Sequence, residues 1–146
     1  MNSLFNINDY VVVITGGTGV LGRTIAKYLA LNGARVIILG RKEGVGREIV
    51  DDITVNGGRA EFMKTDVMSQ ESVQKNCDGI VAKYGRVDTL LNAAGGNMPG
   101  AVISPEGNIF DLKVEEFQKV LDLNLTGTVI PTRIFLKPWW NRAKVL

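Results

Sequence analysis

Four short strand-like runs, the first of them continuous, apolar and β-branched, alternate with stretches whose apolar residues recur at helical spacing, and no other feature narrows the fold as far. The runs are residues 10–15 (YVVVIT), 35–39 (RVIIL), 60–64 and 87–92. Continuous runs of this kind suit strands buried on both faces, and strands alternating with helices argue an α/β fold, a parallel sheet with helices on both sides. The first helix is expected to bury Leu21, Ile25, Tyr28 and Leu29 and to stop at Asn32-Gly33. Residues 43–55 read as a second helix, closed by Asn56-Gly57-Gly58. Ser69 or Ser72 caps a third, with the stripe Val73, Cys77, Ile80, Val81 and Tyr84, ended by Gly85. Pro99, Gly100, Pro105 and Gly107 mark 97–112 as a loop insertion, and 114–137 is helical again. At 146 residues the chain reads as one domain, 1–146.

The 17 glycines are clustered. Directly after the first strand stands Thr15-Gly16-Gly17-Thr18-Gly19-Val20-Leu21-Gly22, and a helix follows at once. Glycine allows positive φ in a tight turn and lets main-chain N–H groups approach a phosphate, while the helix N-terminus aims unsatisfied donors at the anion. The bland reading is a strand–helix turn without a ligand; strand, turn and helix together argue a phosphate cradle. Two versions compete. Residues 17–24 (GTGVLGRT) resemble a P-loop, except that Arg23 stands where the lysine belongs, and a planar guanidinium is no simple substitute for a compact ammonium. The spacing also suits a dinucleotide turn, and that reading is preferred.

Composition removes other classes. With no histidine, imidazole bases, His triads and His-containing metal sites are excluded, and the single Cys77 excludes an internal disulfide. Seventeen basic against 15 acidic residues give +2, too small and too evenly spread to imply a nucleic-acid or membrane partner. No run approaches the ~20 apolar residues of a membrane span. The first residues, MNSLFNIND, lack the pattern of a signal peptide, so a cytoplasmic setting is expected.

The glycine turn resembles that of the short-chain dehydrogenase/reductase family, and the resemblance extends over most of 5–138. Asp66-Val67 looks like the pair that contacts adenine in that family. Asn92-Ala93-Ala94-Gly95 resembles its NNAG-type segment beside the cofactor ribose, and Asn124 matches its active-site asparagine. The resemblance implies a Rossmann-like doubly wound sheet with about four of the usual seven strands, and an NAD(P)-dependent oxidoreductase acting on a small-molecule ketone or secondary alcohol. It assigns cofactor binding to Gly16, Thr18, Gly19, Val20, Leu21 and Gly22, although Val20 replaces a glycine common in the family. Residues 92–99 (NAAGGNMP) and the following insertion look like sugar-acid members of mannonate or fructuronate type. At the end of the second strand, where an acidic residue would accept from a ribose 2′-hydroxyl, Gly40 is followed by Arg41 and Lys42. Two cations suit a 2′-phosphate, hence NADP over NAD; the alternative is a solvated basic surface.

Asn124 shares helical spacing with Phe117, Leu121 and Thr128 and is expected to be buried, where an unpaired amide costs about 1–3 kcal/mol. Backbone partners alone would satisfy it; the family role adds a helix kink and a water of a proton relay. The family's acid, a tyrosine with a lysine four positions on, is missing: Tyr10, Tyr28 and Tyr84 are followed at that distance by Ile14, Asn32 and Asp88. The tail 138–146 (PWWNRAKVL) is atypical, and one base deleted from codons for PMVEQSKGSI would produce it. The expectation is therefore a frameshifted, truncated chain without its catalytic half, or a shortened chain with a vector-derived tail. A non-catalytic nucleotide-binding or assembly module stays open. The fourth strand would then be an edge, and Ile130, Ile134, Phe135 and the two tryptophans would lose their cover, which favours a homo-oligomer.

Overall fold

A computed structural model describes residues 6–143. Strand β1 (Val11–Thr15) is buried along its whole length and stands inside a four-stranded parallel sheet of order β3-β2-β1-β4. Its neighbours are β2 (Arg35–Gly40) and β4 (Thr89–Asn92), with β3 (Arg59–Lys64) beyond β2. Successive side chains alternate between the faces. Val11 and Val13 join one apolar cluster, Val12 and Ile14 the other. Helices cover both clusters, so the Rossmann-like α/β architecture expected from the alternation is present.

Helices α1 (Val20–Leu31) and α2 (Glu43–Val55) cover one face. The face that α1 buries is not the one its large residues mark. Gly22, Ala26 and Ala30 lie against the sheet, whereas Leu21 is 76% exposed and Tyr28 68%, with Ile25 at the surface beside them. Of the expected stripe only Leu29 packs on the core. The physical reason is distance: small residues at i, i+4 and i+8 let the helix axis approach the strands, and large ones would hold it away. In α2, Gly46 plays the same part beneath the Phe62 ring, where a Cβ would stand 2.1 Å from a ring carbon.

Helix α3 (Gln70–Tyr84) behaves as its stripe predicts, burying Val73, Cys77 and Ile80. Ser69 is its cap, the hydroxyl accepting from the Ser72 N–H at 3.2 Å, and Gly85 ends it at φ +71°. The insertion holds two short 3₁₀ turns, Pro99–Ala101 and Ile109–Asp111. The last helical region is not one helix: α4 (Val114–Leu121) passes through a π turn, Asp122–Thr126, into α5 (Gly127–Ala143). Helix α5 packs beside α3, with Ile134 8% and Phe135 0% exposed, so these two residues have the cover they were expected to lose. Trp139 donates its indole N–H to the Val87 carbonyl, while Trp140 is exposed. The atypical tail is thus helical through Ala143, and its last three residues lie outside the described residues.

The two sheet edges differ in character. Strand β3 carries Arg59, Glu61 and Lys64, with Glu61 accepting from Lys83 and Tyr84 of α3. Strand β4 reads TLLN, without a charge. Among the described residues no helix is long and apolar enough to cross a membrane.

Burial, and secondarily the charge of Asp78, pushes the Cys77 thiol up to about 11. The thiolate fraction at pH 8 is therefore about 100-fold below that of an ordinary cysteine. Native protein should react far more slowly with a disulfide-exchange reagent than urea-unfolded protein; equal rates would mean that Cys77 is exposed.

Candidate functional site

The ends of β1, β2, β3 and β4 all point to one edge of the sheet, and the glycine turn lies there. Gly16 takes φ +63°, a region that favours glycine. A Cβ on it would stand 2.6 Å from the Ala93 carbonyl oxygen and from the Ala94 nitrogen, so the turn lies directly on the chain leaving β4. Thr15 secures this contact. Its hydroxyl accepts from the Ala93 and Ala94 N–H groups at 3.2 and 3.3 Å, and its carbonyl from Ala93 at 3.2 Å. Gly22 lies equally close from the other side, its missing Cβ 2.5 Å from the Gly16 carbonyl oxygen. Gly19 stands at the N-terminus of α1 in extended conformation, and no side chain caps the helix. Helix geometry leaves the N–H groups of Val20, Leu21 and Gly22 without intrahelical acceptors, and both exposed side chains, Val20 and Leu21, point elsewhere than into the turn's close contacts. The result is a row of main-chain donors at the positive end of a helix dipole.

Gly40 lies under this turn, where a Cβ would stand 2.8 Å from the Thr18 hydroxyl. Beyond it a cleft of about 620 Å³ opens between the ends of β2 and β3, lined by Arg41, Lys64, Thr65, Asp66, Ser69 and Asn76 among others. Arg41 and Lys42 are both exposed, and Lys42 takes the N-cap position of α2. The Asp66 carboxylate accepts from the Met68 N–H at 3.0 Å, and Val67 is buried against Gly127. Asn76 donates to the Thr65 hydroxyl at 2.7 Å and to the Lys64 carbonyl at 2.9 Å, which fixes the end of β3.

On the far side of the turn, Asn124 is exposed rather than buried, and its neighbours Phe117 and Leu121 are exposed too. The stripe is already at the surface in α4, which has no buried residue, and Asn124 lies in the π turn that follows it, with its amide toward the Gly95-Gly96 segment. The amide is nevertheless fully engaged. It donates to Gly96 O at 2.7 Å and Val120 O at 2.8 Å, and accepts from Gly96 N at 3.2 Å. Gly95 is needed for this, since a Cβ there would stand 2.5 Å from the Asn124 amide oxygen. Asn92 turns away from the edge: its amide nitrogen donates to the Thr132 hydroxyl at 2.9 Å, and its buried amide oxygen has no partner among the described residues.

Apart from the Asn92 side chain, the cofactor-binding candidates read from the sequence therefore lie at or beside one edge of a parallel sheet, the place where an open α/β fold receives a ligand. A family model described as short chain dehydrogenase matches residues 10–144. This chain belongs to the short-chain dehydrogenase family. The uncharacterised oxidoreductase UxuB of Bacillus subtilis (strain 168) is 35% identical over 140 residues, which cover 90% of this chain and 50% of that protein. A provisionally assigned D-mannonate oxidoreductase from Haemophilus influenza, solved with bound NAD, superposes with a TM-score of 0.81 at 30% identity, covering 90% of this chain and 51% of that one. Actinorhodin polyketide ketoreductase carrying the substitution F189W, solved with NADPH, superposes at 0.78 with 30% identity, covering 89% and 47%. The chain thus spans about half the length of the relatives it matches. The P-loop reading of residues 17–24 finds no support: the matching family is a dehydrogenase family, and Arg23 is an exposed helix residue.

Sequence reasoning passed over Thr15 and Thr132 as fixing residues, because a strand-end threonine and a helical threonine are common in any role. Gly22→Ala should drive a methyl into the Gly16 carbonyl, cost about 1–3 kcal/mol in urea unfolding and abolish ligand binding at the turn. A variant of unchanged stability would show that α1 does not lie this close to the turn.

Proposed function

We propose that this chain binds a nicotinamide dinucleotide at the carboxyl edge of its sheet. The observation that carries this is the uncapped N-terminus of α1, presented at the sheet edge by a turn that Gly16 and Gly22 allow to close tightly on the neighbouring main chain. In this reading the main-chain N–H groups of Thr18, Val20, Leu21 and Gly22 hold the pyrophosphate, while Gly16 and Gly19 shape the turn, the Gly19 N–H donating to the Gly16 carbonyl at 2.9 Å. Asp66 and the main chain at Val67 border the adenine, and the main chain of Ala93, Ala94 and Gly95 borders the ribose, with the Asn92 side chain holding that segment to α5. Asn124 fixes the Gly95-Gly96 segment and faces the substrate side. NAD in one similar structure and NADPH in another support the class of cofactor. For this chain we favour NADP, because Gly40 leaves no carboxylate at the end of β2 and Arg41 reaches the cleft.

The bound group would accept or deliver hydride. The protein's share is to orient it and to manage the proton that hydride transfer to a ketone also requires. No Tyr-x-x-x-Lys stands in this sequence, so the chain should bind cofactor without turning over at a normal rate. A complete relative would interconvert a ketone and a secondary alcohol, with a sugar acid such as mannonate as the substrate class that the Haemophilus structure suggests. A non-catalytic nucleotide-binding module is the second reading, favoured by the same missing tyrosine. The single reduced thiol fits a cytoplasmic setting. The reading extends to assembly: large apolar side chains at the surface, Leu125 and Val129 among them, favour self-association.

Fluorescence titration tests the reading. NADPH should bind at least about tenfold more tightly than NADH, and Arg41→Glu should remove that preference, a change of ~1.4 kcal/mol. Tighter NADH binding overturns the 2′-phosphate assignment, and binding of neither overturns the site. Turnover with a keto-acid panel should stay at background; normal rates would mean that another group supplies the proton.

A further inference from the structure

The cleft beyond Gly40 contains a cation that comes from the neighbouring strand. Strands β2 and β3 pair in parallel with Gly40 opposite Lys64. Both positions fall on the face of the sheet where Val36, Ile38, Ala60 and Phe62 meet α1 and α2. A Cβ at 40 would run into Thr18, so β2 ends without a side chain on this face. Lys64, ~4.8 Å away across the ladder, rises beside that gap and borders the cleft. Lys42, by contrast, takes the N-cap position of α2 and is not among the residues that line the cleft.

The main chain of Lys64 is held firmly. Its carbonyl accepts at 2.9 Å from the amide of Asn76, which is buried and also donates to Thr65. The carboxylates nearby are engaged or offset elsewhere. Glu43 pairs with Arg47 at 2.6 Å, and Asp66 accepts from the Met68 N–H. Glu71 stands one helical turn from Lys75 on α3, so these two cleft charges offset each other. Asp51 borders the other side of Lys64, toward α2, without pairing with it. Among the described residues the Lys64 ammonium therefore has no ion pair, although it stands between two helices that carry acids.

We propose that Lys64 is the specificity-determining residue of the cofactor site, its ammonium donating to the 2′-phosphate across Gly40 while Arg41 approaches from the end of β2. The assignment rests on the nicotinamide dinucleotide reading above and names the residue that tells the two cofactors apart. An ammonium on a flexible stem is a point charge suited to a phosphate, and it gains little from a neutral ribose hydroxyl. The choice is then made from β3, one strand beyond the position where an NAD-binding fold carries its acid.

In a fluorescence titration, Lys64→Gln should weaken NADPH binding about tenfold and leave NADH binding unchanged. Lys64→Arg, which keeps the charge, should retain most of the NADPH affinity. In competition, 2′,5′-ADP should displace NADPH from wild type about tenfold more effectively than 5′-ADP, and Lys64→Gln should erase that difference. Lys64 is exposed, so the urea midpoint should not move. NADPH affinity that survives Lys64→Gln but falls with Arg41→Glu keeps the dinucleotide site and overturns the role of Lys64. Equal losses for NADPH and NADH overturn it too, because a residue that reads the phosphate acts on one cofactor alone. Wild type that binds neither cofactor, or NADH more tightly, overturns the underlying reading and this assignment with it.

Discussion

Thr15 and Gly16 tie the first half of the sheet edge to the second. The carbonyl and hydroxyl of Thr15 take up the first N–H groups after β4, and Gly16, lacking a Cβ, lets the turn lie on that same chain. Once this contact is fixed, the start of α1 is fixed by Gly22 against the Gly16 carbonyl, and Gly40 can pass beneath Thr18. The segment leaving β4 then meets Asn124 through Gly95 and Gly96. The candidate site is thus a chain of main-chain contacts in which glycine matters for what it leaves out, and few of its contacts depend on the long side chains nearby.

Close approach recurs in the core with the same logic. Buried Ala26, Ala30 and Gly46 lower two helices onto the sheet, and the apolar area each forgoes is returned by the strands they cover, whose Val and Ile side chains are almost wholly buried. The cost is that Leu21 and Tyr28 are left at the surface. On the other face, α3 and α5 stand off on larger residues, with Phe135 filling the space between them and β1.

These differences explain what could be read from the letters. The strands were legible because a doubly buried parallel strand has to be a short β-branched run, and β1 and β2 are such runs. Helix α3 was legible because its large residues are its buried ones and serine and glycine end it. In α1 the same rule misled, since large residues mark the buried face only when the helix is far enough from the sheet to accommodate them. The turn was legible from its position between strand and helix, whereas the direction of its neighbours was not. Asn124 sits at the surface because the face it shares with Phe117 and Leu121 is not covered, and the π turn that sets how α5 meets Asn92 through Thr132 leaves no sign in the letters.

That extra residue has a mechanical meaning. Each residue turns an α-helix by about 100°, so the π turn sets the angular phase of everything from Gly127 onward. With the phase as it is, Phe135 points at the strands while Asn124 holds Gly95-Gly96 from the other side of the bend. Ordinary α-helical winding through Asp122–Thr126 could keep one of these contacts but would swing the other out of line. The bend works as a coupling between two surfaces, so any force that rewinds it is felt both in the core and at the edge where a ligand would lie.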